Sequence, residues 1–152
     1  MDYSVLAYIE KDDEYLLLYR NKKEHDINEG KWIGVGGHIE KGETPEMALV
    51  REIKEETNLD VLSYQLHARI LFIDNDYEEI MYLYTIDKYE GQLSDCDEGE
   101  LKFIKKKDMY HLPMWEGDKI FLDKMMNNNE YFELTLRYKN GELIEVDNQI
   151  KT

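Results

Sequence analysis

Apolar and polar positions alternate with a period of two over most of this chain and follow a helical period in two places. Tyr3 to Glu10, carrying Val5, Tyr8 and Ile9, reads as a strand. Lys11-Asp12-Asp13 turns the chain, and Glu14 to Tyr19 reads as the returning strand. Asn21 to Lys31 is a polar loop. Trp32 to Gly37 reads as a glycine-punctuated strand end, with a second short strand at His38-Ile39. Val61 to Ile73 and Glu79 to Tyr89 are strand-like runs about the turn Asp74-Asn75-Asp76, and Glu100 to Lys105 alternates as a further strand. Glu130 to Tyr138 and Glu142 to Val146 read as a closing hairpin, because Asn140-Gly141 supplies the two left-handed residues that a tight hairpin turn requires.

The first helix announces itself. Thr44 is a good N-cap, Pro45 fits the first helical position, and Glu46 places negative charge in the first turn. Met47, Leu49, Val50 and Ile53 supply its apolar contacts, and Asn58 stands where a left-handed residue would end it. Asp108 to His111 reads as a helical turn. Trp115 to Asn127 reads as the second helix, with Ile120, Phe121, Leu122, Met125 and Met126 around it, until Asn127-Asn128-Asn129 breaks it. Strands alternating with two helices predict an α/β protein, a mixed sheet with helices on its faces. We find no internal repeat and no Gly/Ser/Pro linker, so one domain over 1–152 is expected.

Charge narrows the partners. The formal net charge is −15, which argues against a nucleic acid polymer or an anionic membrane as a partner held by a basic surface. A polyphosphate substrate would need a cation to screen it. Cys96 is the only cysteine, so no internal disulfide can form, and a reducing cytoplasm is the expected location. The first residues show no basic and apolar leader pattern, and no stretch reaches the roughly 18 apolar residues of a membrane span.

The chemistry concentrates in residues 37–59. Gly37 is followed six residues on by Glu43, and then by Arg51-Glu52-Ile53-Lys54-Glu55-Glu56. On a helix, Glu52, Glu55 and Glu56 fall at i, i+3 and i+4, so all three are expected on one face. A run like this standing alone is usually a solvated helix face. The glycine turn and Glu43 at a fixed offset change that reading. Like charges so spaced repel, and burial would raise the cost, whereas Mg²⁺ or Mn²⁺ would reverse its sign. Arg51 can hold a neighbouring carboxylate by a bidentate fork, and Glu43 can accept loop N–H bonds or reach Arg51. Gly36-Gly37 allow close approach of the backbone.

Gly37, Glu43, Arg51, Glu52, Ile53, Glu55, Glu56 and Leu59 match the signature of the Nudix hydrolases, G-x5-E-x7-R-E-U-x-E-E-x-G-U with U a bulky aliphatic, and the chain resembles that family. One position departs: the second glycine is Asn58, which tolerates left-handed geometry. The resemblance implies an α/β/α sandwich and hydrolysis of a nucleoside diphosphate linked to another moiety. It makes Glu52, Glu55 and Glu56 metal ligands for Mg²⁺, with the Gly36 carbonyl as a further one. Glu52 is also the base in some members, and Arg51 and Glu43 are orienting groups. Members often add an acid from a later loop, which here points to Glu98 in Asp95-Cys96-Asp97-Glu98.

Gly30-Lys31-Trp32, Leu112 to Asp118 and Tyr131 to Leu136 resemble the MutT-like enzymes that act on oxidised purine nucleoside triphosphates. That likeness implies that Trp115 stacks on the base and Asp118 bonds its edge; the plainer alternative is that Trp115 only packs the start of a helix. Relatives of this kind carry Asn one residue after the Trp of Gly-(Arg/Lys)-Trp. Here that place is Ile33, so base recognition must differ. Lys22 or Lys23 could meet phosphates but is more simply a solvated lysine. His25, His38, His67 and His111 are scattered, and no Ser-His or Cys-His pairing is evident. The expected activity is metal-dependent cleavage of a nucleoside triphosphate, 8-oxo-dGTP among the candidates, to monophosphate and pyrophosphate. ADP-ribose, a dinucleoside polyphosphate or a nucleotide sugar is the alternative substrate. A non-catalytic nucleotide-binding module is a third reading.

Overall fold

The structure is a computed structural model that describes residues 1–22 and 25–151. Its described residues form nine strands and two α-helices: β1 (Asp2–Lys11), β2 (Glu14–Arg20), β3 (Trp32–Ile33), β4 (Val35–His38), α1 (Pro45–Thr57), β5 (Asp60–Asp74), β6 (Tyr77–Glu90), β7 (Gly99–Lys105), α2 (Glu116–Asn127), β8 (Phe132–Lys139) and β9 (Glu142–Asp147). A 3-10 turn, Lys106–His111, precedes α2.

All nine strands join one mixed sheet. β1 runs parallel to β6, β6 antiparallel to β5, β5 parallel to β8, and β9 closes that side as a hairpin on β8. The other edge of β1 is divided. Near its end, Ile9 to Lys11 pair with β2; nearer its start, Ser4 to Ala7 pair with β4. The sheet forks there, and β2 departs to pair with β7 and β3. This fork is what opens a cleft beside β4.

The two helices cover opposite faces, giving the three-layer α/β/α sandwich. Ala48, Leu49 and Ile53 of α1 pack on Val5, Ala7, Ile9, Leu16 and Ile86. Phe121, Leu122 and Met125 of α2 pack on Tyr8, Leu17, Ile70, Leu83 and Leu134. Because side chains of a strand alternate in direction, β1 contributes to both cores.

Local signals place the ends of α1 as expected. Thr44 Oγ1 accepts from the Met47 N–H at 3.1 Å, Pro45 opens the helix, and Asn58 adopts φ 68°, its N–H returning to Lys54 O. Asn140 and Gly141 both have positive φ, 50° and 83°, as the closing hairpin requires. Three boundaries differ. The strand around Trp32 breaks at Gly34 rather than after Gly37, giving β3 and β4, and Ile39 lies beyond β4 although its N–H bonds Tyr3 O. α2 begins at Glu116, with Trp115 as its capping residue. On α1, Met47 and Val50 are exposed and Ala48 takes the buried place, because the face of the helix is set by the sheet beneath it.

Candidate active-site cleft

Two glycines shape the acidic end of the cleft. A Cβ on Gly36 would lie 1.9 Å from Val5 O, so β4 can pair this closely with β1 only because Gly36 has no side chain. A Cβ on Gly37 would lie 2.5 Å from the Glu52 carboxylate carbon and 2.6 Å from both of its oxygens. The Glu52 carboxylate therefore occupies the space that any other residue at 37 would fill.

Arg51 is the organiser of the helix side. Nε and Nη2 donate to the two oxygens of Glu43 at 2.7 and 2.8 Å, a bidentate fork. Nη1 donates to Glu52 Oε1 at 2.8 Å and Glu55 Oε2 at 3.3 Å, and Nη2 also reaches His38 O at 3.1 Å. Glu43 Oε1 additionally accepts the Glu40 N–H at 2.8 Å, so Glu43 both anchors its loop and grips Arg51. These bonds hold the Glu43 carboxyl down to about 2, the Arg51 hydrogen bond contributing most.

Glu52, Glu56 and Glu98 line one cleft of about 700 Å³ together with Gly36 and Gly37. Glu56 Oε2 accepts the Gly36 N–H at 3.2 Å. Glu98 Oε2 accepts Arg20 Nη1 at 3.0 Å, and Arg20 Nε donates to Asp26 Oδ2 at 2.6 Å. Burial pushes the Glu56 carboxyl well above the usual range, with Glu98 and then Glu52 adding to it. Burial also raises Glu52, against the opposing Arg51 bond. Glu55 is the exception among the helix acids: its side chain is 58% exposed, against 13% for Glu52, and it lies outside the cleft lining. The i, i+3, i+4 triplet is thus divided, Glu52 and Glu56 turning inward and Glu55 sitting on the rim against Arg51.

The cleft's other end is apolar. Leu6, Ile33, Phe72, Met81 and Trp115 line it, with Asp118 and Asn28 as polar members. Trp115 meets Phe72 and Tyr138 edge-on, at ring-centroid distances of 5.3 and 4.9 Å, and Lys31 Nζ stands 4.6 Å from the indole centroid. Burial pushes the Asp118 carboxyl up to about 8, opposed by the charge of Lys31.

Of the residues expected at the site, Gly36, Glu52, Glu56, Glu98, Trp115 and Asp118 line the cleft, Glu43 and Arg51 form the network behind it, and Glu55 sits on its rim. Lys22 Nζ instead bonds Cys96 O at 3.1 Å, and Lys23 lies outside the described residues. Residues not foreseen are Arg20, Asp26, Asn28, Phe72, Met81 and Glu79. Arg20 left one signal, a cation closing a run of apolar residues on β2. Asp2, His38 and Glu79 gather ligand atoms within 4.8 Å of one another at the rim, a closeness that Glu52, Glu56 and Glu98 do not reach, and Ser4 and Tyr77 already bond Glu79.

The donor set fits a hard divalent cation. It consists of carboxylate oxygens, those of Glu52, Glu56 and Glu98 half-buried in one cleft, with too few opposing charges.

The model of the family described as NUDIX domain matches residues 2–125. The Nudix hydrolase YvcI of Bacillus subtilis is 32% identical over 136 residues, covering 86% of this chain and 82% of its own. The oxidized purine nucleoside triphosphate hydrolase of Danio rerio is 29% identical over 111 residues, 72% of this chain and 71% of its own. The ADP-ribose pyrophosphatase of Methanocaldococcus jannaschii is 33% identical over 143 residues, 91% of this chain and 75% of its own. Among solved structures, the mutator MutT protein from Bacillus halodurans superposes with a TM-score of 0.87 at 24% identity, covering 97% of both chains. Among the described residues, no helix is long and apolar enough to cross a membrane.

Proposed function

The chain belongs to the NUDIX family of hydrolases acting on phosphoric anhydrides, and from that premise we propose that it is a Mg²⁺-dependent pyrophosphohydrolase of nucleoside triphosphates. In this reading water attacks phosphorus, one phosphoric anhydride bond breaks, and the products are nucleoside monophosphate, pyrophosphate and a proton. The observation that carries it is the pairing, in one cleft, of half-buried acids with an apolar slot that ends in Trp115 and Asp118. Trp115 is only 6% exposed, so the apolar surface open to a base comes chiefly from Phe72, Met81, Leu6 and Ile33 beside it. The Danio rerio relative, a hydrolase of oxidized purine nucleoside triphosphates by name, supports 8-oxo-dGTP as a candidate substrate.

Glu52, Glu56, Glu98, the rim carboxylate Glu55 and the Gly36 carbonyl are the residues that would hold Mg²⁺, with Mn²⁺ as a substitute. When bound, the metal would screen phosphate charge and acidify water. Arg51 restrains Glu52 through Oε1, leaving Oε2 available to water or cation. Glu52, half-buried and held by Arg51, is placed to take a proton from water. Glu43 and Arg51 act by position: their fork sets the angle at which Glu52 enters the cleft. Glu98 is fixed from the opposite wall by Arg20. A small-molecule nucleotide is the only partner this reading requires. We place the protein in the cytoplasm, where its single cysteine would stay reduced.

ADP-ribose is the second reading, favoured by the Methanocaldococcus jannaschii relative, which aligns over 91% of this chain. Incubation with Mg²⁺ and a panel containing 8-oxo-dGTP, the common triphosphates, ADP-ribose and dinucleoside polyphosphates separates the two. Monophosphate with pyrophosphate is the expected outcome. Release of orthophosphate alone, or turnover of ADP-ribose without any triphosphate, overturns the proposal.

A further inference from the structure

At the apolar end of the cleft Ile33 can form no hydrogen bond, and the polar side chains there are Asn28 and Asp118. Asn28 lines that end, and its carboxamide is held in a defined orientation. Trp115 Nε1 lies 2.7 Å from the Asn28 side-chain oxygen. An indole nitrogen only donates, so it must face the amide oxygen and not the amide nitrogen. Nδ2 therefore points its two N–H groups away from the indole, and among the described residues no acceptor bonds them.

The backbone beneath this amide is anchored as well. The Asn28 N–H donates to Asp26 Oδ1 at 3.2 Å, while Asp26 Oδ2 holds Arg20, which in turn holds Glu98. The Arg20 and Asp26 side chains are only 10% and 6% exposed. Asn28 is thus supported by a buried ion pair shared with the acidic end of the cleft. Such support is what gives a binding group a fixed position. Across the same slot stands Asp118, whose carboxyl has no hydrogen-bond partner among the described residues.

We propose that Asn28 is the specificity-determining residue of this cleft, donating from Nδ2 to a carbonyl oxygen on the base while Asp118 meets the adjoining ring N–H. The pair selects a lactam edge over an amino edge. This rests on the nucleotide reading above and deepens it. An amino group in the same place would set donor against donor and leave both unpaired, which disfavours that base by about 10- to 100-fold.

Hypoxanthine and adenine nucleotides differ at this edge alone, so dITP and dATP are the probes. The wild-type protein is expected to favour dITP in kcat/KM by about tenfold or more. Asn28→Asp keeps an oxygen for Trp115 and nearly the same shape but replaces the free donors with an acceptor. Its added charge affects both triphosphates alike, so the dITP to dATP ratio isolates the base; that ratio is expected to fall at least about tenfold. Asn28→Leu removes the bond to Trp115 too and is expected to weaken both nucleotides. A wild-type ratio near one, an unchanged ratio in Asn28→Asp, or equal losses for both bases in both variants would overturn the proposal and leave Asn28 as a buttress for Trp115. Calorimetric binding of dIMP and dAMP gives the same ratio without turnover. If neither triphosphate is hydrolysed but dIMP still binds more tightly than dAMP in an Asn28-dependent way, the hydrolase reading fails while the base-edge assignment stands. Binding of neither monophosphate by wild-type protein overturns the assignment.

Discussion

Gly37→Ala tests the site with little disturbance to the fold. The new methyl carbon would stand 2.5 Å from the Glu52 carboxylate carbon, where ordinary carbon contacts are about 3.5–4.0 Å. The carboxylate must retreat by about 1 Å, and it can, being the end of a flexible side chain. The helix behind it stays put, held by Ala48, Leu49 and Ile53. A 1 Å misplacement in a catalytic array costs about 100-fold in rate, or about 2.7 kcal/mol on the barrier. Gly37 does not have a positive φ, so alanine adds no backbone strain, and stability should change by less than about 1 kcal/mol. Gly36→Ala is the contrast. Its methyl would meet Val5 O at 1.9 Å and Val5 C at 2.8 Å, backbone atoms of a central strand with nowhere to go. That variant should lose about 3 kcal/mol or more. Urea unfolding and kcat/KM on the best triphosphate measure both. Wild-type turnover by Gly37→Ala, or unfolding of Gly37→Ala as severe as that of Gly36→Ala, would refute the assignment of the Glu52 position.

Mg²⁺ at 100 times its dissociation constant should stabilise the protein by about 2.7 kcal/mol in thermal melts, an increment that EDTA abolishes and Glu56→Gln largely removes. Arg51→Lys keeps the charge but not the fork to Glu43, and kcat/KM should fall about 10- to 100-fold in steady-state assays. Asp118 affects stability with pH in a defined direction: its carboxyl rises in the fold to about 8, so the native state holds a proton that the unfolded chain releases near pH 4. Its penalty is absent below pH 4, grows as pH rises and is complete above about pH 8. Asp118→Asn should therefore match wild type in urea midpoint at pH 4 and exceed it by about 1–3 kcal/mol at pH 9.

Much of this was legible because it is local. Thr44-Pro45 and Asn58 bracket α1 by capping chemistry alone, and Asn140-Gly141 fixes a hairpin that two neighbouring strands complete. The Nudix signature is local as well, a turn and one helix, so the sequence carried Gly37, Glu43, Arg51, Glu52 and Glu56 to the cleft. What stayed hidden is set by tertiary contacts. The outward turn of Glu55 depends on how α1 lies on the sheet, which the spacing of three acids does not specify. Exposure of Met47 and Val50 has the same cause. Arg20 and Asp26 meet Glu98 only because β2 leaves β1 at the fork and pairs with β7. Asn28 looked like an ordinary loop residue until the fold brought Trp115, 87 positions away, to its amide.

The distribution of the guanidinium groups supports the proposal that a cation completes the cleft. Arg51 is committed to Glu43, Glu52 and Glu55, and Arg20 to Asp26 and Glu98. Both cations are thus occupied on the walls. Glu56 lies between those walls, accepting the Gly36 N–H on one side and meeting the Glu98 carboxyl on the other. A backbone N–H carries only a partial charge, too little to offset the desolvation and the facing Glu98 and Glu52 that raise the Glu56 carboxyl. A third arginine would neutralise the pocket but would fill it. A divalent ion supplies more charge in a smaller volume and keeps coordination positions for water and phosphate oxygen. The rise at Glu56 is therefore confined to the place where, in the proposed reading, substrate and metal would meet, while Arg51 and Arg20 are already paired without them.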